Sequence, residues 1–462
     1  MRSEADWRIQ YSARGLALPL RPLPGRPYPD GMPPENPALV SRHPWRWVPS
    51  LYFCQGIPNV VMTSVAVVLL KNLEVSNADI AFYTSVAYLP WVVKPLWSPL
   101  VERAGRKRRW IVTLQFVLSL VFGLIALALP APDAIRLVLV LLWVMAFSSA
   151  THDIAADGFY LDALPPHQQA AFVGVRSTFF RVASIAGKGG LVWLAGCLIG
   201  ITGAVRPGWM GVFGLLAAGF LLFALAHLVL LPRVPADERP RVAAASAAVD
   251  FGRTFLAFFR KPRIWQTGFF LLTYRLAEAL ALKLVEPFLL DARAVGGLGL
   301  TNKQLGLAYG VVGTASALAG GLLGGWLISR HGLKRMLWPM ILIMHLPIGV
   351  FLVLAQLRPE SLSVIGTALA AEQFGYGFGF TAYMVYMMMV AEGEHKTAHY
   401  ALCTGFMAAS IMLPGMAAGW IQEQLGYVNF FVLVCVTTLP SFLATALIKV
   451  DPGYARKVQP TQ

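Results

Sequence analysis

The chain has 462 residues, 57% hydrophobic and only 13% charged, with mean hydropathy +0.61 and formal net charge +15. That balance excludes a soluble globular domain and leaves an integral membrane protein. The basicity invites a nucleic-acid reading, which its distribution along the chain decides.

Residues 1–44 hold nine prolines and six arginines, lack the apolar core of a signal peptide, and are expected to stay largely disordered. Twelve apolar segments follow, each near the ~20 residues a bilayer crossing needs. They lie near 47–70, 78–99, 110–130, 135–160, 172–199 and 209–231, then 264–288, 304–328, 337–356, 361–390, 399–422 and 428–449. Residues 232–263, with Pro232, Pro235 and Pro240, divide them as a linker, in part an amphipathic stretch around Phe251 to Phe259. This gives an N-terminal segment (1–44), a first half (45–231), the linker, a second half (264–449) and a tail (450–462).

With both termini in the cytoplasm, 26 of the 38 Lys and Arg fall on the cytoplasmic side and 6 on the outer side. The bias is the positive-inside rule, so the charge reports topology and nucleic acid is not needed as a partner. The four cysteines (Cys54, Cys197, Cys403, Cys435) all fall inside spans and read as packing residues, not as a disulfide or metal set.

One cationic string occurs twice. Arg103, Gly105, Lys107 and Arg108, after the second span, map onto Arg330, Gly332, Lys334 and Arg335, after the eighth, at a constant offset of 227. Two equivalent halves with a basic hinge in each are how many secondary transporters are built. The hinge residues, with Lys94 and Glu102 beside the first copy, are expected to form a cytoplasmic latch, and the matching glycines a tight turn.

Twelve spans in two halves with this hinge resemble the major facilitator superfamily. Within it, three stretches resemble the AmpG-type muropeptide permease and acetyl-CoA transporter group: Leu51 to Pro58, Leu89 to Leu100, and Thr151 to Gly158. After Asp157, Gly158-Phe159-Tyr160 departs from the Ala-Tyr-Arg such permeases tend to have. The resemblance implies an all-α integral membrane fold of two pseudo-symmetric six-helix halves, in the inner membrane. It implies a monomeric carrier, without cofactor, that imports a small anionic solute with protons, an anhydro-muropeptide being the leading candidate. Another solute of the group, such as an acyl-CoA-like compound or a siderophore, is the alternative, as is a membrane sensor that does not turn over. No nucleophile–base set or phosphate loop supports an enzyme.

Charges inside spans cost several kcal/mol unless paired or hydrated, so they mark function by default. Asp153 and Asp157 share one face of the fourth span, and depth counting at about 1.5 Å per residue predicts Asp157–Arg176 and Asp153–Arg181 ion pairs with the fifth. His152 beside them reads as a packing or hydrogen-bonding residue. Lys188, flanked by Gly187, Gly189 and Gly190, lies mid-membrane with no acid opposite on the fourth span. It suits an anionic solute approaching the backbone closely, or an acid on another helix such as Glu278 or Glu372. In the seventh span Arg275 and Glu278 share a face, Lys283 follows, and Glu286 reads as a rim residue near the outside. Glu372 stands alone in the tenth span. Glu372 and Glu278 are the proton-coupling candidates, with Asp153 a third; pairing with Arg275 would make Glu278 structural. Arg181, Arg275, Gln55 and Asn59 complete the candidate binding set, and Pro58 is expected to free a carbonyl near residue 54.

Overall fold

The computed structural model describes residues 43–98, 101, 106–164, 166–234, 255–392, 396–452 and 454–455. All of these belong to a single compact unit. The described residues contain helices and turns but no strand, as expected where every backbone amide must be satisfied inside its own segment.

Among the described residues twelve crossing helices are present. They are α1 (Pro44–Asn72), α2 (residues 77–96), α3 (Lys107–Ala128), α4 (Ala134–Ala163), α5 (residues 166–202) and α6 (Val205–Leu230). The second half repeats them as α7 (residues 264–290), α8 (Asn302–His331), α9 (Leu333–Leu357), α10 (Leu362–Ala391), α11 (residues 396–425) and α12 (residues 427–447). α11 runs into α12 through Gly426, whose φ of 71° and ψ of 168° no helix interior adopts. Among the described residues nine continuous helices are long and apolar enough to cross a membrane, the last being α11 and α12 together. The other two crossings have evident reasons for a weaker signal. α2 is divided between Val86 and Leu89, with Pro90 opening its second piece. α7 is divided at Tyr274–Arg275 and carries four charged side chains.

Three helices contain wide π turns: Val61–Val65 in α1, Ile185–Leu191 in α5 and Gly306–Gly313 in α8. The first follows Pro58, which cannot donate to the helix ladder. The second and third face each other across the two halves. A Cβ on Gly310 would lie 2.4 Å from the backbone of Lys188 and Gly189, and one on Gly306 2.8 Å from the Gly189 carbonyl. The α5 and α8 backbones therefore touch, which only small residues permit. A second seam joins α2 to α11, where a Cβ on Gly419 would lie 2.0 Å from the Asn77 carbonyl.

The apolar cores follow the same division. Toward the end that carries Asn72 and Asp291 (the Asp291 end), residues of both halves share one cluster, including Val61, Leu69, Leu284, Phe288 and Tyr309. Toward the opposite, Lys107 end, each half has its own, around Trp47 and Phe159 in the first and Phe270 and Tyr383 in the second. The halves are thus packed together from mid-membrane to the Asp291 end.

Candidate transport site between the halves

At the Asp291 end the closure is polar as well as apolar. Lys71 pairs with Asp291 at 2.6 Å across the halves. Asp291 also accepts from Tyr427 (2.5 Å) and from Asn77 (3.2 Å), and Asn77 donates to Gln422 at 2.7 Å. Asn302 donates to Asn72 at 2.5 Å, and the Ala78 amide to Glu423 at 2.8 Å. A cavity of about 560 Å³ opens over this cluster. Sequence reading counted Lys71 only as an outer-loop charge and overlooked Asp291; their positions at the ends of α1 and α7, equivalent helices of the two halves, were the available signal.

Farther in, each half holds one arginine between a carboxylate and two rings. Arg176 donates to Asp157 at 2.7 Å and lies 4.4 Å from the Tyr52 ring and 5.1 Å from that of Tyr160; Tyr52 donates to Asp157 at 3.2 Å. Arg275 grips Glu278 with two bonds of 2.6 Å, its guanidinium 4.7 Å from Phe380 and 5.6 Å from Tyr376. The bidentate pair engages both Glu278 oxygens and occupies Arg275 as well.

The expected Asp153–Arg181 pair does not form. Asp153 accepts from the Trp91 indole at 3.1 Å and faces Lys94 at 3.9 Å, while its Oδ1 has no hydrogen-bond partner among the described residues. Depth counting set Asp153 and Arg181 level but could not give their azimuth. The turn at Pro90 brings Trp91 and Lys94 against α4, and Arg181 points to the other half, its Nη2 3.6 Å from where a Gly321 Cβ would lie. Gln55 is buried with its Oε1 unpartnered among the described residues, and the Asn59 carbonyl accepts from Thr63. His152 is buried in a chain across four helices: His152 to Gln115 at 3.1 Å, Gln115 to His227 at 2.9 Å, His227 to Ser50 at 2.9 Å.

Lys188 sits half-buried in the π turn of α5, its Nζ 5.0 Å from the Tyr309 ring on α8. Acids of the other half do face it: Glu286 and Glu372 both interact with it electrostatically. Two of its flanking glycines serve packing instead of solute, since Cβ atoms on Gly187 and Gly189 would strike Val60 at 2.3 Å and Val311 at 2.7 Å. Only Gly190 borders open space. Glu372 is buried and accepts from its neighbour Gln373 at 2.8 Å. Glu286 is not at the rim: it is buried mid-interface and accepts a hydrogen bond from Ser64 of the first half. Proximity of Pro287 to the loop misled the sequence reading.

Of the hinge residues, Glu102, Arg103 and Gly105 lie outside the described residues, as do most of the linker and the N-terminal segment. Lys107 is buried and pairs with Asp162 at 2.6 Å, and Arg108 caps the last carbonyls of α6 at Leu228 and Leu231. Lys94 is engaged by Asp153. Gly332 has φ 83°, the tight turn expected, with Arg330 5.6 Å from the Trp326 ring and Lys334 and Arg335 exposed. Among the described residues no three His, Cys, Asp or Glu side chains gather as a metal site.

The Major Facilitator Superfamily model matches residues 50–289 and 275–462. The chain belongs to that superfamily. It is therefore a multi-pass membrane transporter and not an enzyme. The chain is 25% identical over 411 residues to the anhydromuropeptide permease of Escherichia coli K12, covering 88% of this chain and 80% of that one. It is 23% identical over 398 residues to the putative transporter AmpG 4 of Rickettsia conorii, covering 84% and 92%. Among solved structures, the inward-facing, unoccupied bacterial homologue of the human lysosomal transporter Spinster superposes with TM-score 0.64 at 17% identity, covering 89% of this chain and 96% of that one. A D-xylose–proton symporter gives 0.65 at 13% identity, with coverage of 87% and 96%. These structures share the superfamily fold with this chain.

Proposed function

We propose that this carrier imports a small anionic solute, of the anhydro-muropeptide class, across the bacterial inner membrane together with protons. The Lys107 end, with Lys107, Arg108, Arg330 and Lys334, faces the cytoplasm in this reading, as do both termini and residues 232–263 as a cytoplasmic linker. The closed Asp291 end faces outward, so the arrangement is inward-facing. The carrying observation is the face of α5. Arg181 and Lys188, seven residues and hence two turns apart, both look into the interface, where Tyr309, Tyr376 and Glu372 of the other half meet them. Arg181 and Lys188 offer cations about 10 Å apart along α5, and the half-buried Tyr376 offers a ring beside them. That combination suits an amphiphilic anion of sugar and peptide, the class named for the E. coli relative.

The test is uptake of labelled GlcNAc-anhydroMurNAc into proteoliposomes with and without an inward proton gradient. Gradient-driven uptake is expected. Lys188→Ala should raise the half-saturating concentration about 10- to 150-fold, the equivalent of one charge-assisted hydrogen bond of about 1.5–3 kcal/mol. Absence of uptake by folded wild type would remove this solute.

A further inference from the structure

Glu286 is buried at the meeting of the halves, 3% exposed. Its Oε1 accepts from Ser64 on α1, and its Oε2 has no hydrogen-bond partner among the described residues. Two cations from opposite halves act on it: Lys188 on α5 and Lys283 on α7. Lys283 also crosses the interface, donating to Thr84 on α2 at 3.1 Å. The remaining titratable groups nearby are Tyr309 on α8, which interacts with Glu286, Glu372 and Glu278, and Glu372 itself on α10. Glu278 is neutralised by Arg275, and Glu372 takes its hydrogen bond from within its own half. Of Glu278, Glu286 and Glu372, Glu286 is thus the one whose hydrogen bond spans the halves.

An ionised Glu286 places one negative charge among Lys188 of the first half, Lys283 of the second, and the Ser64 hydroxyl, and so draws the halves together. Once Glu286 is neutral, Lys283 loses the carboxylate that faces it in a poorly solvated interface and Lys188 keeps Glu372 alone, which weakens closure. A solute anion beside Lys188 would supply the missing charge.

We propose that Glu286 is the coupling carboxylate, and that the outer seam closes only when one negative charge, its own carboxylate or the solute's, lies between Lys188 and Lys283. This rests on the transport reading above. A proton from the outer side bonds to Glu286 Oε2 and neutralises it, and the solute anion then binds at Lys188 and permits closure. On the inner side the solute leaves, the Glu286 O–H gives its proton to water, and the carboxylate again holds the seam. One proton and one negative charge cross together. A proton alone does not cross, because the empty protonated site stays open outward.

The experiment uses spin labels at Asp133→Cys and Val295→Cys, exposed positions in outer loops of the two halves, with the four native cysteines replaced, in proteoliposomes without solute. The outer distance is expected to lengthen on acidification in the parent, to stay long at every pH in Glu286→Gln, and to respond as the parent does in Glu372→Gln. Glu286→Asp should restore the response, which separates this role from misfolding. A parent distance indifferent to pH, or a Glu286→Gln carrier that still follows pH, overturns the proposal. Adding GlcNAc-anhydroMurNAc at acid pH should shorten the parent distance. If that solute has no effect while the solute-free response stands, the solute assignment fails and the coupling role survives.

Discussion

Replacing Gly310 by alanine tests the closed seam directly. The added Cβ would lie 2.4 Å from the Gly189 nitrogen and from the Lys188 carbonyl carbon and oxygen, all backbone atoms that cannot swing aside. Ordinary contact begins near 3.4 Å, so α5 and α8 must part by about 1 Å. Overpacking of this kind costs about 1–3 kcal/mol. The contact lies between the halves and not within either, so the cost falls on the outward-closed state alone. At about 1.4 kcal/mol per tenfold, the outward-open population should rise roughly 5- to 150-fold. The halves move as units, so the α2–α11 seam opens with α5–α8. Ser85, fully buried on α2 beneath Gly415, becomes reachable from outside. Ser85→Cys in a background without the native cysteines, treated with a membrane-impermeant maleimide in right-side-out vesicles, reads this as a rate. Gly214→Ala is the control, since nothing lies within 4 Å of its Cβ position. Equal labelling rates in Gly310→Ala and Gly214→Ala would refute the seam as the element that keeps the outer end closed.

Tyr427→Phe deletes the acceptor of a 2.9 Å hydrogen bond from Asn77 of the other half. A neutral bond is worth about 0.5–1.5 kcal/mol, so Ser85→Cys labelling should rise about 2- to 12-fold. Arg275→Ala leaves Glu278 buried without its cation and should cost about 3–5 kcal/mol, seen as a lowered melting temperature in detergent, whereas Arg275→Met with Glu278→Leu should recover most of it. Gln115→Leu breaks both histidine contacts in the chain joining α1, α3, α4 and α6. Leaving those buried groups unsatisfied should cost about 1–3 kcal/mol each, with a corresponding fall in melting temperature.

Much of the fold was legible in the sequence because the bilayer permits so few answers. A run of about 20 apolar residues must be a helix there, and the repeated Arg-x-Gly-x-Lys-Arg string fixed the two-half plan. Even α2 and α7, broken by a proline and by four charges, were found as apolar segments of crossing length. The Asp157–Arg176 contact was reachable too, since a hairpin of two helices fixes depth by counting.

What counting cannot give is azimuth and the partner across the halves. Asp153 met Trp91 and Lys94 in place of Arg181 because a proline in another helix turned them toward it. The glycines around Lys188 looked like room for a solute, yet two of them are filled by Val60 of α1 and Val311 of α8. Glu286, one residue before a proline near a span's end, looked peripheral. Burial and the hydrogen bond from Ser64, 222 residues away in sequence, make it central. Depth and helicity are set by local chain chemistry against the lipid. Which charges face one another is set by how twelve helices rotate and pack, and that exists only in the assembled fold.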